Sequence, residues 1–514
     1  MSFALRFRLP ASRSARVLCV AIMLIAAAAV IARLHRRPRP WQAGKVPIAF
    51  WAWRNQAPSE TDLRKAIEKN HARTIFLHAG QIDYQNGKLH RIRAVNGSLP
   101  EEVDLHLVYN ATRSLLDQLD KVDENTLAGA IADSFQEDAQ RAGEQHSRVL
   151  GVQVDIDVPT RLLGRYENTL RALRARLKPG IQLSITGLPT WMKSSELQST
   201  LRQVDFWAPQ FYGAEIPERV DQSISISSPR DVERFASDAR ALDKPFYAGL
   251  AAYSCVFLYG KSGSLISLRG NMDPAAIAAD TDLELIDWGT FGVTNYEWRY
   301  QYRARADGVI DGLAMHAGDQ LVVDSPSAES LRQFARIVRE LAGEKLLGIC
   351  VFRLPAHDDP ATLSAEQVAV ALADQDSTPD FEIRFRPADK HAHAWLLEIE
   401  NQGTASAAGD LKIDVPVNAG TIESVSVQRG AWFETLCQTP DSVPPIAYQP
   451  CGQNRANLIR FAAHGLRPGE TLAVTLFFKI TPPDVMPISI ETQTDAGQLY
   501  VNRKQIPVEG GIKR

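Results

Sequence analysis

The chain has 514 residues, 45% of them hydrophobic, with 57 Lys and Arg against 60 Asp and Glu. This length predicts two or three domains rather than one. The net charge of -3 gives no sign of the basic surface that nucleic acid requires, so we expect no nucleic-acid partner. No metal-type spacing of Cys or His occurs, and we expect neither a metal nor another cofactor. We interpret four scattered histidines as structural or surface residues: His78, His106, His316 and His357.

The first 45 residues predict a membrane anchor followed by a linker. An apolar, Ala-rich run at 17–32 has four arginines on each side: Arg6, Arg8, Arg13 and Arg16 before it, and Arg33, Arg36, Arg37 and Arg39 after it. The run is near the lower length limit for a spanning helix, so cleavage as a signal peptide is the alternative. The arginine cluster after the run favours an uncleaved anchor. We expect one N-terminal transmembrane helix in the inner membrane, with the body on the periplasmic or extracellular face.

A repeated strand-then-helix rhythm predicts a parallel barrel. Eight short apolar runs carry the strand signal, at 46–53, 74–79, 104–110, 149–158, 182–188, 204–212, 246–251 and 347–354. Such strands, alternating with helices, are typical of a (β/α)8 TIM-type barrel with insertions. A doubly wound open sheet is the alternative, but no Gly-rich phosphate loop favours it. The seventh unit is enlarged, and we expect residues 256–273 to form a loop over the barrel mouth and residues 290–323 to form extra strands.

The rhythm changes near residue 375. Short alternating runs, separated by Gly, Pro, Asn and Asp, predict a C-terminal all-β domain of the antiparallel sandwich type. The expected domains are an anchor and linker at 1–45, a barrel at 46–375 and a sandwich at 376–514. Cys437 and Cys451 flank a proline-rich stretch of the sandwich, and their spacing suits a disulfide. Cys255 and Cys350 lie in apolar surroundings and are expected to be buried thiols.

Residues 151–159, which read Gly-Val-Gln-Val-Asp-Ile-Asp-Val-Pro, form the most informative strand. Gln153, Asp155 and Asp157 alternate with hydrophobic residues and therefore share one face. Two carboxylates on a dry face are costly, whereas the inner face of a parallel barrel meets solvent and substrate near the C-terminal strand ends. We expect Asp155 to lie deeper in the lumen and Asp157 to lie at its mouth, both as catalytic candidates. The alternative is that the two carboxylates cap loops or pair with buried arginines.

Aromatic and polar residues also fall at or near the predicted strand ends. The candidates for substrate binding are Trp51, Trp53, Asn110, Trp191, Gln210, Tyr212, Tyr253, Trp298 and Arg353. Such a mixture suits sugar recognition, because rings cover the apolar face of a sugar while polar groups bond to its hydroxyls. Packing in the core is the alternative for any single tryptophan. The expected partner is therefore a polysaccharide or an oligosaccharide.

Several stretches resemble an uncharacterised bacterial barrel family, the domain of unknown function DUF3142: residues 48–54, 151–159, Tyr166, 183–191 and 348–355. The resemblance implies a glycoside-hydrolase-like barrel but no established reaction. More distantly, the strand resembles the Asp-x-Asp-x-Glu strand of family 18 chitinase-like barrels, in which the final Glu is the catalytic acid. Asp155 and Asp157 match the two Asp positions. Pro159 occupies the Glu position and cannot donate a proton.

A hydrolase would therefore need another acid, since glycoside hydrolysis usually requires two carboxyl groups. Glu215 follows the sixth strand, and Glu297 lies among aromatic residues that would raise its pKa by desolvation. Ordinary loop carboxylates are the alternative for both. The leading hypothesis is a membrane-anchored periplasmic barrel that binds a polysaccharide and hydrolyses it with strand-end carboxylates. The competing hypothesis is an inactive barrel that binds glycan or serves as an envelope scaffold.

Overall fold

A computed structural model describes residues 42, 45–54, 57–291, 295–388, 393–427, 431–439 and 447–508. The predicted anchor at 17–32 lies outside these residues. Within them, no helix combines the length and the hydropathy needed to cross a lipid bilayer. Three regions follow one another along the described chain: a parallel barrel, a small antiparallel sheet inserted into it, and an antiparallel sandwich.

The barrel and its insertion contain the first sixteen strands of the described chain. They are β1 (Ile48–Ala52), β2 (Thr74–Gln85), β3 (Lys88–Ala94), β4 (Asp104–Ala111), β5 (Arg148–Asp155), β6 (Gln182–Gly187), β7 (Phe206–Pro209), β8 (Phe246–Ala251), β9 (Cys255–Tyr259), β10 (Leu265–Arg269), β11 (Leu283–Thr290), β12 (Trp298–Ala304), β13 (Gly308–Ile310), β14 (Leu313–Met315), β15 (Gln320–Ser325) and β16 (Leu346–Phe352). The parallel strands run in the order β1, β16, β8, β7, β6, β5, β4, β2, and β2 pairs again with β1. The sheet therefore closes as an eight-stranded parallel barrel, which confirms the predicted fold class.

Helices cover the outside of the barrel, except for the helix Pro274–Ala278, which packs on the inserted sheet. They are α1 (Glu60–Asn70), α2 (Arg113–Asp117), α3 (Glu124–Glu144), α4 (Leu163–Arg174), α5 (Leu197–Leu201), α6 (Pro229–Ala241), α7 (Pro274–Ala278), α8 (Ala328–Leu341) and α9 (Ala365–Leu372). The α4 helix shows how they attach, because Leu163, Tyr166 and Leu170 recur at helical spacing and are buried. They share one hydrophobic core with Val152 and Val154 of β5. The other face of β5 is thereby directed into the lumen.

The connection between β8 and α8 holds an antiparallel sheet, and strands β12 to β15 of this connection confirm the extra strands predicted at 290–323. Strands β10, β9, β15, β12 and β11 pair in that order, antiparallel throughout. The expectation of a loop at 256–273 is therefore wrong over β9 and β10. Val256 and Leu258 of β9 are buried in the core of this sheet. Their partner strand β15 lies about sixty residues further along the chain, so local composition does not reveal the pairing.

Two antiparallel sheets form the C-terminal region. Their strands are β17 (Phe381–Pro387), β18 (Ala394–Asn401), β19 (Ala407–Pro416), β20 (Ile422–Val427), β21 (Ala431–Gln438), β22 (Tyr448–Pro450), β23 (Leu458–Leu466), β24 (Thr471–Phe478), β25 (Val485–Gln493) and β26 (Leu499–Pro507). One sheet has the order β17-β18-β24-β20 and the other β22-β21-β23-β19-β25-β26. One hydrophobic core joins residues of both sheets, so the predicted sandwich-like domain is confirmed. The exact domain boundaries stay predictions.

The sandwich contacts both the insertion and the barrel. The Tyr300 hydroxyl of β12 donates to the backbone carbonyl of Ala408, 2.5 Å away. Arg467 of the sandwich forms an ion pair with Asp273 at 3.1 Å. The buried Asp495 carboxylate accepts a hydrogen bond from the backbone of Ala328, at the start of α8. These contacts tie three regions of the chain together.

The structure joins Cys437 and Cys451 in a disulfide, with Cα atoms 5.8 Å apart. Closing a loop of this length stabilises the folded state by about 3 kcal/mol, because the cross-link restricts the unfolded chain. We expect the double variant Cys437→Ser/Cys451→Ser to lose about that free energy of unfolding in a urea titration. Dithiothreitol should move the wild-type midpoint to that of the variant and leave the variant unchanged. An equal midpoint for the variant and the oxidised wild type would contradict this expectation.

Candidate active site

The lumen face of β5 rises in layers towards the barrel mouth. Gln153 is fully buried and donates to the Ser184 hydroxyl of β6 at 3.4 Å. One layer higher, the Thr186 hydroxyl of β6 donates to the Asp155 carboxylate at 2.7 Å. Asp157 follows beyond the end of β5 and is exposed. Asp155 thus lies deeper than Asp157, in the order that the alternation predicts.

The two aspartates hold their protons more tightly than ordinary carboxyl groups do. Burial, and secondarily the neighbouring Asp157 carboxylate, raises the pKa of Asp155 to about 7, against an opposing effect of the Thr186 hydrogen bond. Desolvation by the surrounding protein also raises the pKa of Asp157, although this residue is exposed at the mouth. Within the described chain, no arginine or lysine forms an ion pair with either carboxylate. The pair can therefore keep a proton near neutral pH, as a general acid must.

A cavity of about 490 Å³ opens at the C-terminal ends of β1, β4 and β16. It is lined by Trp53, Arg54, His78, Gln81, Arg93, Asn110, Gly270, Asn271, Arg353, Asp358, Asp359 and Pro360. His78 stacks on Trp53 with ring centroids 5.0 Å apart, and its Nε2 lies 3.0 Å from the Asn110 side-chain oxygen. Burial lowers the pKa of His78, which favours the neutral imidazole. The volume is within the range of small-ligand sites, and the lining combines a ring with amides and charges.

Arg353 forms a fixed wall of this cavity. Its guanidinium makes a two-pronged contact with the Asp359 carboxylate, at 2.6 and 2.8 Å, and donates to the Gly270 carbonyl at 2.8 Å. These hydrogen bonds hold the guanidinium in place, and the side chain is buried. Asp359 also lies near Arg54, which pairs with Asp358. Arg353 therefore shapes the site and connects the barrel to the insertion, since Gly270 lies in the insertion.

A row of rings connects the cavity with the aspartate pair. The Phe352 ring has centroid distances of 5.7 Å to Trp53, 6.0 Å to Tyr212 and 5.2 Å to Tyr253. Burial is the main cause of the raised pKa of Tyr212, and the nearby charges of Tyr253 and Asp155 add to it. Tyr212 is therefore close to Asp155. Gln210 is half-buried directly after β7, two residues before Tyr212.

Two predicted binding tryptophans belong to the core. Trp51 is 2% exposed and packs in the lumen against Phe76 and Phe352, one layer below Trp53. Trp191 is fully buried on the helix side of the strands, where its indole N–H donates to the Val158 carbonyl at 2.8 Å. Neither residue reaches the mouth, so core packing is the correct explanation for both. Trp191 instead steadies the backbone next to Asp157.

The two predicted glutamates do not join the aspartates. Glu297 is 2% exposed inside the insertion, where burial and then the Asp324 charge raise its pKa well above the ordinary range. A carboxyl that is enclosed in this way cannot reach a glycan at the mouth. Glu215 lies exposed in the loop after β7. Trp298 is also placed elsewhere, beside a second cavity that faces the sandwich.

Sequence reasoning missed several residues of the mouth. His78 was interpreted as a structural histidine, yet it lines the cavity together with Gln81, Arg93 and Asp359. The available signal was that His78 shares a strand face with Phe76, a residue of the lumen core. His106 is one layer lower, where burial lowers its pKa to about 4.

One cluster beside the mouth has the residue types of a metal site. The ligand atoms of Asp62, His357 and Asp358 lie within 4.8 Å of one another. Both Asp62 oxygens already have protein partners, in Ser59 and His357, and Asp358 pairs with Arg54. These hydrogen bonds and the ion pair account for the cluster without a metal.

Comparisons with solved structures find barrels of low sequence identity. The spore cortex-lytic enzyme SleL of Bacillus cereus is 14% identical, with a TM-score of 0.42, over 64% of this chain and 74% of SleL. A chitinase of Chromobacterium violaceum is 14% identical, with a TM-score of 0.41, over 64% of this chain and 98% of the chitinase. The chitinase ChiB of Flavobacterium johnsoniae is 12% identical, with a TM-score of 0.37, over 64% of this chain and 94% of ChiB. Values this low do not bear on function.

Sequence comparisons are more limited. No curated protein matches the chain. One family model matches part of the chain. The matched part contains two of the stretches that carry the family resemblance, 151–159 and 183–191. The stretches at 48–54 and 348–355 lie outside it. Residues 111–279 match the family model described as "Domain of unknown function (DUF3142)", which confirms the resemblance seen in the sequence.

Proposed function

We propose that the barrel binds a polysaccharide at its C-terminal mouth and hydrolyses it with the Asp155–Asp157 pair. The observation that carries this proposal is the placement of two neighbouring carboxyl groups, without an arginine or lysine partner in the described chain, at the open end of a closed barrel. The adjacent cavity offers Trp53 for the apolar face of a sugar, and Asn110 and Gln81 for its hydroxyls.

The roles of the two aspartates follow from their depth. Asp157 is exposed and touches the glycosidic oxygen of the bound chain. Asp155 lies behind it, held by Thr186, and the two carboxyl groups hold one proton between them, which Asp157 delivers to the glycosidic oxygen while a water molecule adds to the anomeric carbon and returns a proton to the pair. A carboxyl group that is still protonated near neutral pH is the proton donor that cleavage of a glycosidic bond requires. Turnover should therefore fall as the pH rises through about 7.

A second function, glycan binding without hydrolysis, is favoured by a specific observation. Pro159 stands where the distantly similar chitinase-like strand has its acid, and Glu297 is enclosed rather than placed across the mouth from Asp157. Hydrolysis normally needs a second carboxyl group across the scissile bond. A barrel that binds glycan but releases no reducing ends would have this second function.

We also propose that residues 17–32 anchor the body in the inner membrane, with the barrel and sandwich on the periplasmic side. The arginines before the apolar run support this orientation, and the arginine cluster after it supports an uncleaved segment. Fractionation of cells that express the full chain tests it. Recovery of the intact chain in the cytosolic fraction would refute it.

Binding is tested with a glycan array on the full chain, with the release of reducing ends assayed in parallel. We expect Trp53→Ala to weaken binding about tenfold, because it removes the ring against which a sugar packs. Trp432→Ala, at an exposed tryptophan of the sandwich, is the matched control and should bind as the wild type does. Equal affinities for the two variants would contradict the barrel mouth as the binding site.

A further inference from the structure

A second cavity, of about 440 Å³, lies between the insertion and the sandwich. Trp298, Tyr300 and Tyr302 of β12 form one side of it. Small residues line other sides of the cavity. They are Ala275, Ala276, Ala278 and Ala279 around α7, and Ala407 and Ala408 on β19. Ala276 and Thr471 at its rim are exposed, so the cavity is reached from solvent. We call this space the junction cleft.

The rings of the junction cleft belong to an aromatic row that continues beyond it. Trp298 lies 5.9 Å from Trp288 of β11 and 6.3 Å from Tyr300, with interplanar angles of 23° and 22°. The nearly parallel planes follow from the pairing, because Trp288 stands opposite Tyr300 and Trp298 lies two residues from Tyr300 on the same face. Flat rings side by side present a surface of the kind on which pyranose rings stack.

Two donors of the junction cleft have no protein partner in the described chain. The Trp298 indole N–H is buried without a hydrogen bond, in a side chain 4% exposed. The Tyr302 hydroxyl makes no hydrogen bond either, although the residue is 4% exposed, and burial alone raises its pKa. An enclosed donor without a partner, such as the Trp298 N–H, costs free energy. A ligand with hydroxyl oxygens would satisfy them, whereas a purely apolar ligand would leave them unpaired.

Charged and polar groups border the rings. Arg467 lies at the rim, bonded to Asp273 and to Glu470 at 3.1 and 3.0 Å, and Asp495 and Ser325 line the wall. We propose that the junction cleft is a second carbohydrate-binding site, which holds one or two sugar units of a glycan chain against Trp298, Tyr300 and Tyr302. This assignment uses other elements than the barrel mouth and does not depend on hydrolysis there.

The test uses the full chain carrying Trp53→Ala, which impairs the barrel mouth. Hexasaccharides of glucose, N-acetylglucosamine and galacturonic acid are titrated calorimetrically and by tryptophan fluorescence. Ala276→Arg places a long side chain at the exposed rim, and Tyr302→Phe removes only a hydroxyl. Ala314→Arg, at an exposed alanine of β14 outside the cleft, is the matched control. We expect at least one sugar to bind, about tenfold more weakly after Ala276→Arg and about fivefold more weakly after Tyr302→Phe.

Two results would overturn the assignment. One is the same affinity in Ala276→Arg and Ala314→Arg for every hexasaccharide. The other is that none of the three sugars binds or changes the fluorescence. A Trp53→Ala effect without an Ala276→Arg effect supports the barrel mouth alone. An Ala276→Arg effect without a Trp53→Ala effect supports the junction cleft alone, so the failures of the two proposals are distinguishable.

Discussion

We expect Asp157→Asn to reduce the release of reducing ends by a factor of roughly a hundred or more, because the amide cannot donate a proton to the glycosidic oxygen. Asn keeps the size of the side chain, and Asp157 is exposed, so the fold should be unaffected. Binding of the same glycan should change far less than its hydrolysis. Release and binding are measured on one preparation, using a glycan identified on the array.

The matched control for this experiment is Asp133→Asn, the same change at an exposed position in the middle of α3. It should leave both release and binding at the wild-type level. Unchanged release in Asp157→Asn would remove Asp157 from the mechanism. A wild-type protein that binds the glycan and releases nothing would instead support the binding-only function.

The second large effect concerns stability. The pKa of Asp155 is raised from 3.8 to about 7 in the folded protein, mainly by burial. Consider a carboxyl group whose pKa is higher in the folded state than in the unfolded state. Its contribution to stability is fully present below the pKa of the unfolded state and is lost as the pH rises through the pKa of the folded state. Asn at this position never ionises and still offers an oxygen to the Thr186 hydroxyl. We therefore expect Asp155→Asn to unfold at higher urea concentrations than the wild type at pH 8.

The expected gain at pH 8 is up to about 4 kcal/mol. It should shrink as the pH falls from 7 towards 4 and disappear near pH 4, where both states of the wild type carry the proton. Urea titrations of wild type, Asp155→Asn and Asp133→Asn across this pH range measure it. Equal stability of the wild type and Asp155→Asn at pH 8 would show that ionisation of Asp155 does not lower the free energy of unfolding. A gain in stability with a loss of turnover would identify Asp155 as a residue kept for function.

Much of the barrel could be predicted, because alternation in strands and helical spacing are local properties of the sequence. The run predicted at 246–251 is β8, and the leucines at 163, 170 and 173 are the buried face of α4. In the insertion, the extra strands at 290–323 could be predicted, but β9 and its pairing could not. Strand β9 pairs with β15, and no local pattern in the sequence indicates that these two segments are neighbours.

In the candidate site too, local patterns were predictable and contacts between distant segments were not. Alternation correctly put Asp155 and Asp157 on the inner face of β5, in the right order of depth. Trp51 and Trp53 share a face too, but only the closed barrel shows that Trp51 is sealed in the lumen while Trp53 reaches the mouth. The hydrogen-bond partners of Arg353 could not be predicted from the sequence either, because Asp359 and Gly270 lie in separate loops.

The contacts of the sandwich have a consequence for how this protein can be divided. Free-standing carbohydrate-binding modules can be exchanged between enzymes because a flexible tether is their only connection. Here the Tyr300 hydroxyl donates a hydrogen bond to a backbone carbonyl of the sandwich. Asp495 of the sandwich accepts a hydrogen bond from the first turn of α8. A shortened chain that ended before β17 would remove both contacts and uncover the aromatic rings of β12. The barrel and the sandwich of this protein are therefore suited to inheritance as one unit and not to shuffling.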